Sequence, residues 1–397
     1  MHNSVLKLYI EINKTNFIFF VVESDDQENF RIIYELPVSL EGIKDNSIID
    51  SKKFFNTIKD NIYLIEQKCN HTFKELILIL DNFNPTFITL TGFKKLNGSQ
   101  ILRENITYIL NTLKSYVDNA EPKKTIIHIF NSSFNLDNKK IDNLPIGMFG
   151  DFYSHELSFI LISINDFKNL KNIFEKCNLK VKKILNKSFI KGAFLNDTNK
   201  QDETFFEIMI ETNGSKIFYF ENNSLKFEQD FKFGTDIIIK DISKITSLKN
   251  DMVKKILNEL SFNYEISDEE LLDQEFFKDG VYRKIKKKLI YEIALARITE
   301  LAELIIFKNV NLSHYTGLSK VIFLECDLKL QPKSLKDIFE IAFKKKGFHI
   351  KFWNNFSSHE MLKTANKLVH FGWKKEAIPV TDPKKSIIAR FFDALFD

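Results

Sequence analysis

The sequence predicts an α/β fold built from two related βββα halves. Three observations predict it. A strand–turn–strand opening, Leu6–Ile12 and Phe17–Val22 around the polar turn Asn13-Lys-Thr-Asn16, returns in the second half as Phe205–Ile210 and Ile217–Glu221 around Glu211–Lys216. Each opening is followed by a third strand-like run, Arg31–Leu36 and Leu225–Phe231, and then by helical periodicity. Short β-branched and aromatic runs alternate with amphipathic stretches along the chain, the pattern of sheets covered by helices.

The elements follow in order. Apolar residues at helical spacing predict a helix over Ser51–Cys69, with Ser51 as its N-cap. Glu75–Leu80 is a short apolar run and reads as a buried strand. A second unit begins near Phe87. It holds a helix over Ser99–Val117, the strand Lys124–Phe130, a loop with Pro145-Ile-Gly147 and the strand Glu156–Ser163. Helix Asp166–Cys177 and strand Lys180–Leu185 return to the first unit. After the second opening come helices over Thr235–Lys244, Lys249–Leu260 and Val281–Phe307, the strand Lys320–Leu324 and a terminal helical region. The expected domains are therefore 1–86 with 165–202, an insertion at 87–164, 203–235 with 308–375, a small subdomain at 236–307, a linker at 376–383 and a terminal helix at 384–397.

Composition excludes several classes. At 397 residues the chain is long enough for two or more domains. A net charge of +4 is too small to imply nucleic-acid binding. No run approaches the roughly 20 apolar residues of a spanning helix, and the N-terminus lacks the pattern of a signal peptide. Cys69, Cys177 and Cys326 are scattered and never form a CxxC pair, so neither zinc nor a disulfide framework is indicated. The expected compartment is the cytosol. Glycine is scarce, 12 in all, which bears on any loop built to cradle phosphate.

The last fourteen residues carry the strongest functional pattern. At about 100° per residue, Ile387, Ile388, Phe391, Phe392, Leu395 and Phe396 fill one half of a helical wheel. Ser386, Arg390, Asp393 and Asp397 fill the other, and Lys384 and Lys385 add positive charge behind Pro383. Such a helix suits the plane of a membrane surface. Six buried apolar side chains at about 1.5–3 kcal/mol each set the upper bound on its attachment. The bland alternative is a terminal helix docked on its own core. The stretch Glu376–Pro383, with two prolines and no helical period, reads as a tether and favours the membrane. Asp393, Asp397 and the terminal carboxylate offset the basic residues, so the pull of anionic lipid is weak.

Four blocks carry a resemblance to a known family. The first is His128-Ile-Phe130 through Pro145-Ile-Gly147-Met-Phe-Gly150 and on to Glu156-Leu-Ser-Phe-Ile-Leu-Ile. The second is Leu170–Val181, the third Phe233–Ile242 with Asn250-Asp-Met-Val-Lys254, and the fourth Ala296-Arg297-Ile-Thr-Glu300-Leu301. Their order and spacing resemble the FtsA family of bacterial actin-like cell-division proteins over nearly the whole chain. The resemblance implies an actin/Hsp70-like ATPase fold with an FtsA-type inserted subdomain in the first half. It implies a C-terminal membrane-targeting helix, here Lys384, Lys385, Ile387, Ile388, Arg390, Phe391, Phe392, Leu395 and Phe396. It implies FtsZ, the tubulin-like division GTPase, as partner, with the membrane lipid surface, other division proteins and a second copy of the chain as further partners. The implied place is the cytoplasmic side of the inner membrane at the division site. The basic run Arg283, Lys284, Lys286, Lys287 and Lys288 lies where the family places part of its contact with the FtsZ peptide, and cationic side chains there suit an acidic peptide. The alternative is a solvated helical face.

The chain departs from the family where nucleotide chemistry sits. Actin-type ATPases wrap phosphates in two turns, each typically D-x-G-x-x, whose backbone amides face the phosphate oxygens. Here the first turn reads Glu11-Ile-Asn13-Lys14-Thr15 and the second Glu211-Thr-Asn213-Gly214-Ser215-Lys216. A later acidic position is Phe218, and the adenosine loop is Glu325-Cys326-Asp327 without its glycines. The residues left to contact nucleotide are Asn13, Lys14, Gly214, Ser215, Asp251, Lys254, Arg297 and Glu300, with Lys216 a further cation near the second turn. Arg297 and Glu300 also read as an i,i+3 pair on one helix. ATP with Mg²⁺ is therefore expected to bind weakly or not at all, and hydrolysis is expected to be absent. No catalytic or metal-ligating set is assigned. The competing readings are an active ATPase whose nucleotide cycle gates assembly, and a PilM-like pilus-assembly actin homologue, against which the amphipathic terminus speaks.

Overall fold

A computed structural model describes residues 5–13, 16–24, 30–44, 47–81, 83–199, 202–259, 266–277, 281–326, 333–344, 347–353 and 356–379. In chain order the first half holds β1 (Val5–Ile12), β2 (Asn16–Ser24), β3 (Phe30–Ser39), the two-residue strands β4 (Ile43–Lys44) and β5 (Ser47–Ile48), α1 (Ser51–Cys69) and β6 (Glu75–Leu80). An insertion follows: β7 (Thr86–Lys95), α2 (Arg103–Ala120), β8 (Lys124–Leu136), β9 (Lys139–Ile141) and β10 (Phe152–Ser163). Then come α3 (Ile164–Lys176), β11 (Lys180–Asn186) and α4 (Lys187–Thr198). The second half holds β12 (Phe205–Ile210), β13 (Ser215–Glu221), β14 (Ser224–Phe231), α5 (Asp236–Thr246), α6 (Asn250–Glu259), α7 (Lys287–Ala302), β15 (Val321–Cys326), α8 (Lys333–Phe343) and β16 (His349–Phe352). The described chain closes with α9 (Ser358–His370) and β17 (Glu376–Pro379).

The same sheet is built twice. The first runs β11-β6-β1-β2-β3 and the second β14-β13-β12-β15-β16. In each, the opening strand lies at the centre. β1 pairs antiparallel with β2 and parallel with β6, and β6 is parallel to β11. β12 pairs antiparallel with β13 and parallel with β15, and β15 is parallel to β16. This duplicated order is the actin/Hsp70-like layout, and the fold is α/β of that class. The insertion between β6 and α3 carries a third sheet, β17-β8-β10-β7, with β9 on β8.

The described residues form two compact units. One comprises residues up to 199, with 221–226 and 356–379; the other comprises 202–220 and 227–353. Each has its own core. In the first, α1 turns Phe54, Ile58, Ile62 and Ile65 inward at helical spacing, and Phe54 stacks on Phe17 at 5.1 Å. The insertion packs Ile106, Ile109, Leu110 and Val117 of α2 against Tyr153, Leu157, Phe159 and Leu161 of β10. Gly92 of β7 is required there, because a Cβ would stand 2.4 Å from Ile109. The second unit buries Ile238, Ile239 and Ile242 of α5 with Ile290, Ala294, Ile298 and Leu301 of α7.

Several boundaries differ from the sequence reading. Asp50, not Ser51, caps α1, accepting from the amides of Lys52 and Lys53 at 3.0 Å. β7 was hidden in a Thr-rich stretch whose exposed positions are Thr89, Thr91, Phe93 and Lys95. The long helix expected from Val281 starts at Lys287. Residues 283–286 are instead drawn out beside Leu271 and Leu272, with the Leu272 amide donating to Ile285 at 2.8 Å. The terminal helical region is broken into α8, β16 and α9. The first four residues of the expected tether form β17, antiparallel to β8.

Candidate functional site

In open α/β sheets, ligands gather beyond the carboxyl ends of the parallel strands. In the first unit those ends belong to β1, β6 and β11. They bring together Glu11, Asp81 and, one residue past β11, Lys187. The Lys187 ammonium lies 2.6 Å from Glu11 Oε1 and 3.3 Å from Asp81 Oδ2. Glu11 is buried and Asp81 nearly so. Lys187 opens α4, whose N-cap Asn186 accepts from the Phe189 amide at 2.9 Å. Almost all of α4 beyond Lys187 is buried, so the root of this lysine is fixed. Neither Asp81 nor Lys187 stood out in the sequence. Only the parallel register of three strands distant in sequence brings them to Glu11.

The first turn is closed by its own residues. The Asn13 amide donates to Asn16 O at 3.1 Å, and the Asn16 amide donates to Asn13 Oδ1 at 2.8 Å. Lys14 lies outside the described residues. The second turn is likewise self-engaged. The Glu211 amide donates to Gly214 O at 2.8 Å, and Ser215 Oγ donates to Phe233 O at 2.7 Å. At the start of α5 the amides of Thr235 and Asp236 donate to the carbonyls of Glu211 and Thr212, both at 2.9 Å. Helix N-terminal amides are ready anion donors, but these two are directed into the turn. The contact requires Gly234, where a Cβ would stand 2.1 Å from Glu211 O. Lys216 is buried and reaches Glu228 at 3.2 Å. Phe218 is fully buried and faces Phe205.

The remaining nucleotide candidates do not converge in the second unit. Asp251 and Lys254 form an exposed i,i+3 pair at 3.7 Å on α6. Arg297 bridges Asp241 of α5 and Glu300, the latter at 2.7 Å. It therefore stitches α7 to α5. Cys326 ends β15, and Asp327 lies outside the described residues.

The basic run is partly engaged. Arg283 donates to the carbonyls of Thr246 and Ser247 at 3.4 and 3.1 Å, where a cation complements the end of α5. Lys287 reaches Glu270 at 3.7 Å and Asp273 at 4.0 Å, and Lys288 pairs with Asp268. That hydrogen bond holds the Asp268 carboxyl below its usual range and raises the Lys288 ammonium. Lys284 and Lys286 are exposed.

A third cluster fastens the end of the described chain. Glu376, on β17, accepts from Lys183 Nζ at 2.8 Å and lies 2.8 Å from His128 Nδ1. The Asn186 amide donates to His128 Nε2 at 3.2 Å, so Nδ1 carries the proton and donates to Glu376. Burial alone pushes the Glu376 carboxyl up, but Lys183 and His128 outweigh it and bring it down to about 2. The nine membrane residues from Lys384 to Phe396 lie outside the described residues. Among the described residues no helix is long and apolar enough to cross a membrane.

Fold and site together define an actin-like α/β protein with self-satisfied turns. In sequence the chain is FtsA-like, and divergent. It is 22% identical to the cell division protein FtsA of Buchnera aphidicola subsp. Schizaphis graminum over 308 residues, covering 76% of this chain and 72% of that one. The FtsA of Buchnera aphidicola subsp. Baizongia pistaciae is 21% identical over 301 residues, covering 75% and 70%. Similar solved structures include the PilM–PilN type IV pilus biogenesis complex, with a TM-score of 0.48 at 11% identity over 92% of this chain and 96% of that one. MreB5 of Spiroplasma citri bound to ADP has a TM-score of 0.45 at 10% identity, covering 91% and 96%. No protein-family model matches the chain.

Proposed function

We propose that this protein is a cell-division scaffold that tethers FtsZ-type filaments to the cytoplasmic face of the inner membrane through the helix 384–397. The observation that carries the reading is similarity to two FtsA proteins over three quarters of the chain, joined to the amphipathic pattern of its last fourteen residues. The fastening of β17 supports it, since a load on the tail would be passed through Glu376 into β8. The exposed pair Lys284 and Lys286 is the part of the basic run best placed to take an acidic partner peptide. Self-assembly through the insertion is supported by exposed aromatics near its sheet tip, Phe149 and the stacked pair Phe93 and Phe152. On this reading the protein is not an enzyme, and its scaffold role needs no nucleotide.

The test is co-sedimentation of FtsZ-type filaments with liposomes, using the full chain and a form cut after Thr381, with and without ATP. Filaments pelleting only with the full chain, and equally without ATP, is the expected result. Pelleting that requires ATP would favour the nucleotide-gated reading. No pelleting in any arm would overturn the tether.

A further inference from the structure

We propose that Lys187 is a built-in counter-cation, standing where an actin-like protein would hold a divalent metal ion beside nucleotide. The inference is independent of the tether reading. It rests on the trio at the carboxyl ends of the first parallel strands. Two carboxylates on adjacent parallel strands, Glu11 buried and Asp81 mostly so, demand a cation nearby. Mg²⁺ takes oxygen ligands at about 2.0–2.1 Å in near-octahedral geometry. Lys187 Nζ already stands 2.6 Å from Glu11 Oε1 and 3.3 Å from Asp81 Oδ2. A metal ion on those oxygens would face an ammonium within its own coordination shell.

The lysine is also poorly able to leave. It is the first residue of a helix whose following residues, Ser188 to Ala193, are all buried, and its side chain is itself only 30% exposed. The formal charge points the same way. Lys187 places one positive charge between two carboxylates. Mg²⁺ would have neutralised the pair and offered a bridge to a polyphosphate. The ammonium fills the place of such an ion and offers no bridge to a phosphate chain, while it holds the strand ends together. The residues present therefore do not fit Mg²⁺ with ATP in the first half. The ammonium keeps the strand ends assembled at every nucleotide concentration.

The exchange has a direct consequence: removing the ammonium exposes a latent metal site. The experiment compares thermal melting of the full-length wild type, K187A, K187R and K187A/E11Q in EDTA and in millimolar Mn²⁺. K187A is expected to melt several degrees below wild type in EDTA and to recover most of that loss in Mn²⁺. Wild type and K187R should be indifferent to the ion, and K187A/E11Q should not be rescued. If K187A folds only in the presence of Mn²⁺, the proposal is supported in its strongest form. If it folds under neither condition, K187Q, which keeps side-chain volume, carries the same comparison. A wild-type protein that binds Mn²⁺ and loses it in E11Q would overturn the proposal. So would a Lys187 variant that folds and melts identically with and without the ion.

Discussion

Glu376 shows how much one residue can carry. Its carboxylate is buried, yet it accepts from both Lys183 and His128. Breaking such a pair by removing one partner strands the other charge and costs about 3–5 kcal/mol. K183M should therefore lower the unfolding free energy obtained from urea titration by an amount in that range. The pH dependence follows from the sign of the shift. The folded pKa, about 2, lies below the ordinary 4.5. The stabilisation is thus present above 4.5 and is lost as pH falls toward 2. Unfolding free energy measured across that window should fall steeply in wild type and less so in E376Q. His155 adds an earlier loss. Its pKa is lowered to about 3 by burial and then by Lys375. The unfolded chain takes up a proton below pH 6.5 that the folded one refuses, so stability declines from there downward. Gly234 makes a different point. A methyl group there collides with the Glu211 carbonyl, so G234A should destabilise by about 1–3 kcal/mol, the usual cost of overpacking, as read by denaturant unfolding.

At the scale of elements, the basic run separates into two kinds of lysine. Lys287 and Lys288 face the acidic segment Asp268–Asp273, and exposed pairs of this kind add little to stability because solvent screens them. Lys284 and Lys286 point outward. Changing both to Glu should leave the melting temperature nearly unchanged while weakening binding of an acidic partner peptide several-fold, measured by fluorescence anisotropy. An unchanged affinity would make these two lysines an ordinary solvated surface. The repeated strand–turn–strand openings were legible because two-residue alternation and polar turns are local signals. β7 and β17 were not. β7 carries threonines on its open side, and β17 is four residues long. Such a short segment is a strand only because β8 offers it an edge and Lys183 offers Glu376 a partner.

For the whole molecule, the duplicated sheet order matters more than any single motif. It defines the actin-like fold class whatever the two turns hold. The proposed attachment to membranes rests on the amphipathic pattern of residues 384–397. On the proposed tether, F391E/F392E places two charges within the apolar half of that sequence pattern and should abolish liposome flotation of the full protein, while circular dichroism of the folded units stays unchanged. Flotation that survives the double substitution would remove the tail from the membrane reading.

The sequence by itself determined the α/β class, the two strand–turn–strand openings and the amphipathic character of the last fourteen residues. Each is written in periodicity or in order along the chain, and both are local. It also showed that the turns at Asn13 and Asn213 lack glycine at those positions. What stands in their place was decided by tertiary structure alone. Glu11, in β1, Asp81, just past β6, and Lys187, just past β11, lie far apart in sequence and meet only because β1, β6 and β11 lie parallel and in register. Lys183, His128 and Glu376 meet only when the last described strand closes on β8. Opposite charges attract whatever their separation along the chain, so which of them become partners is settled by the fold.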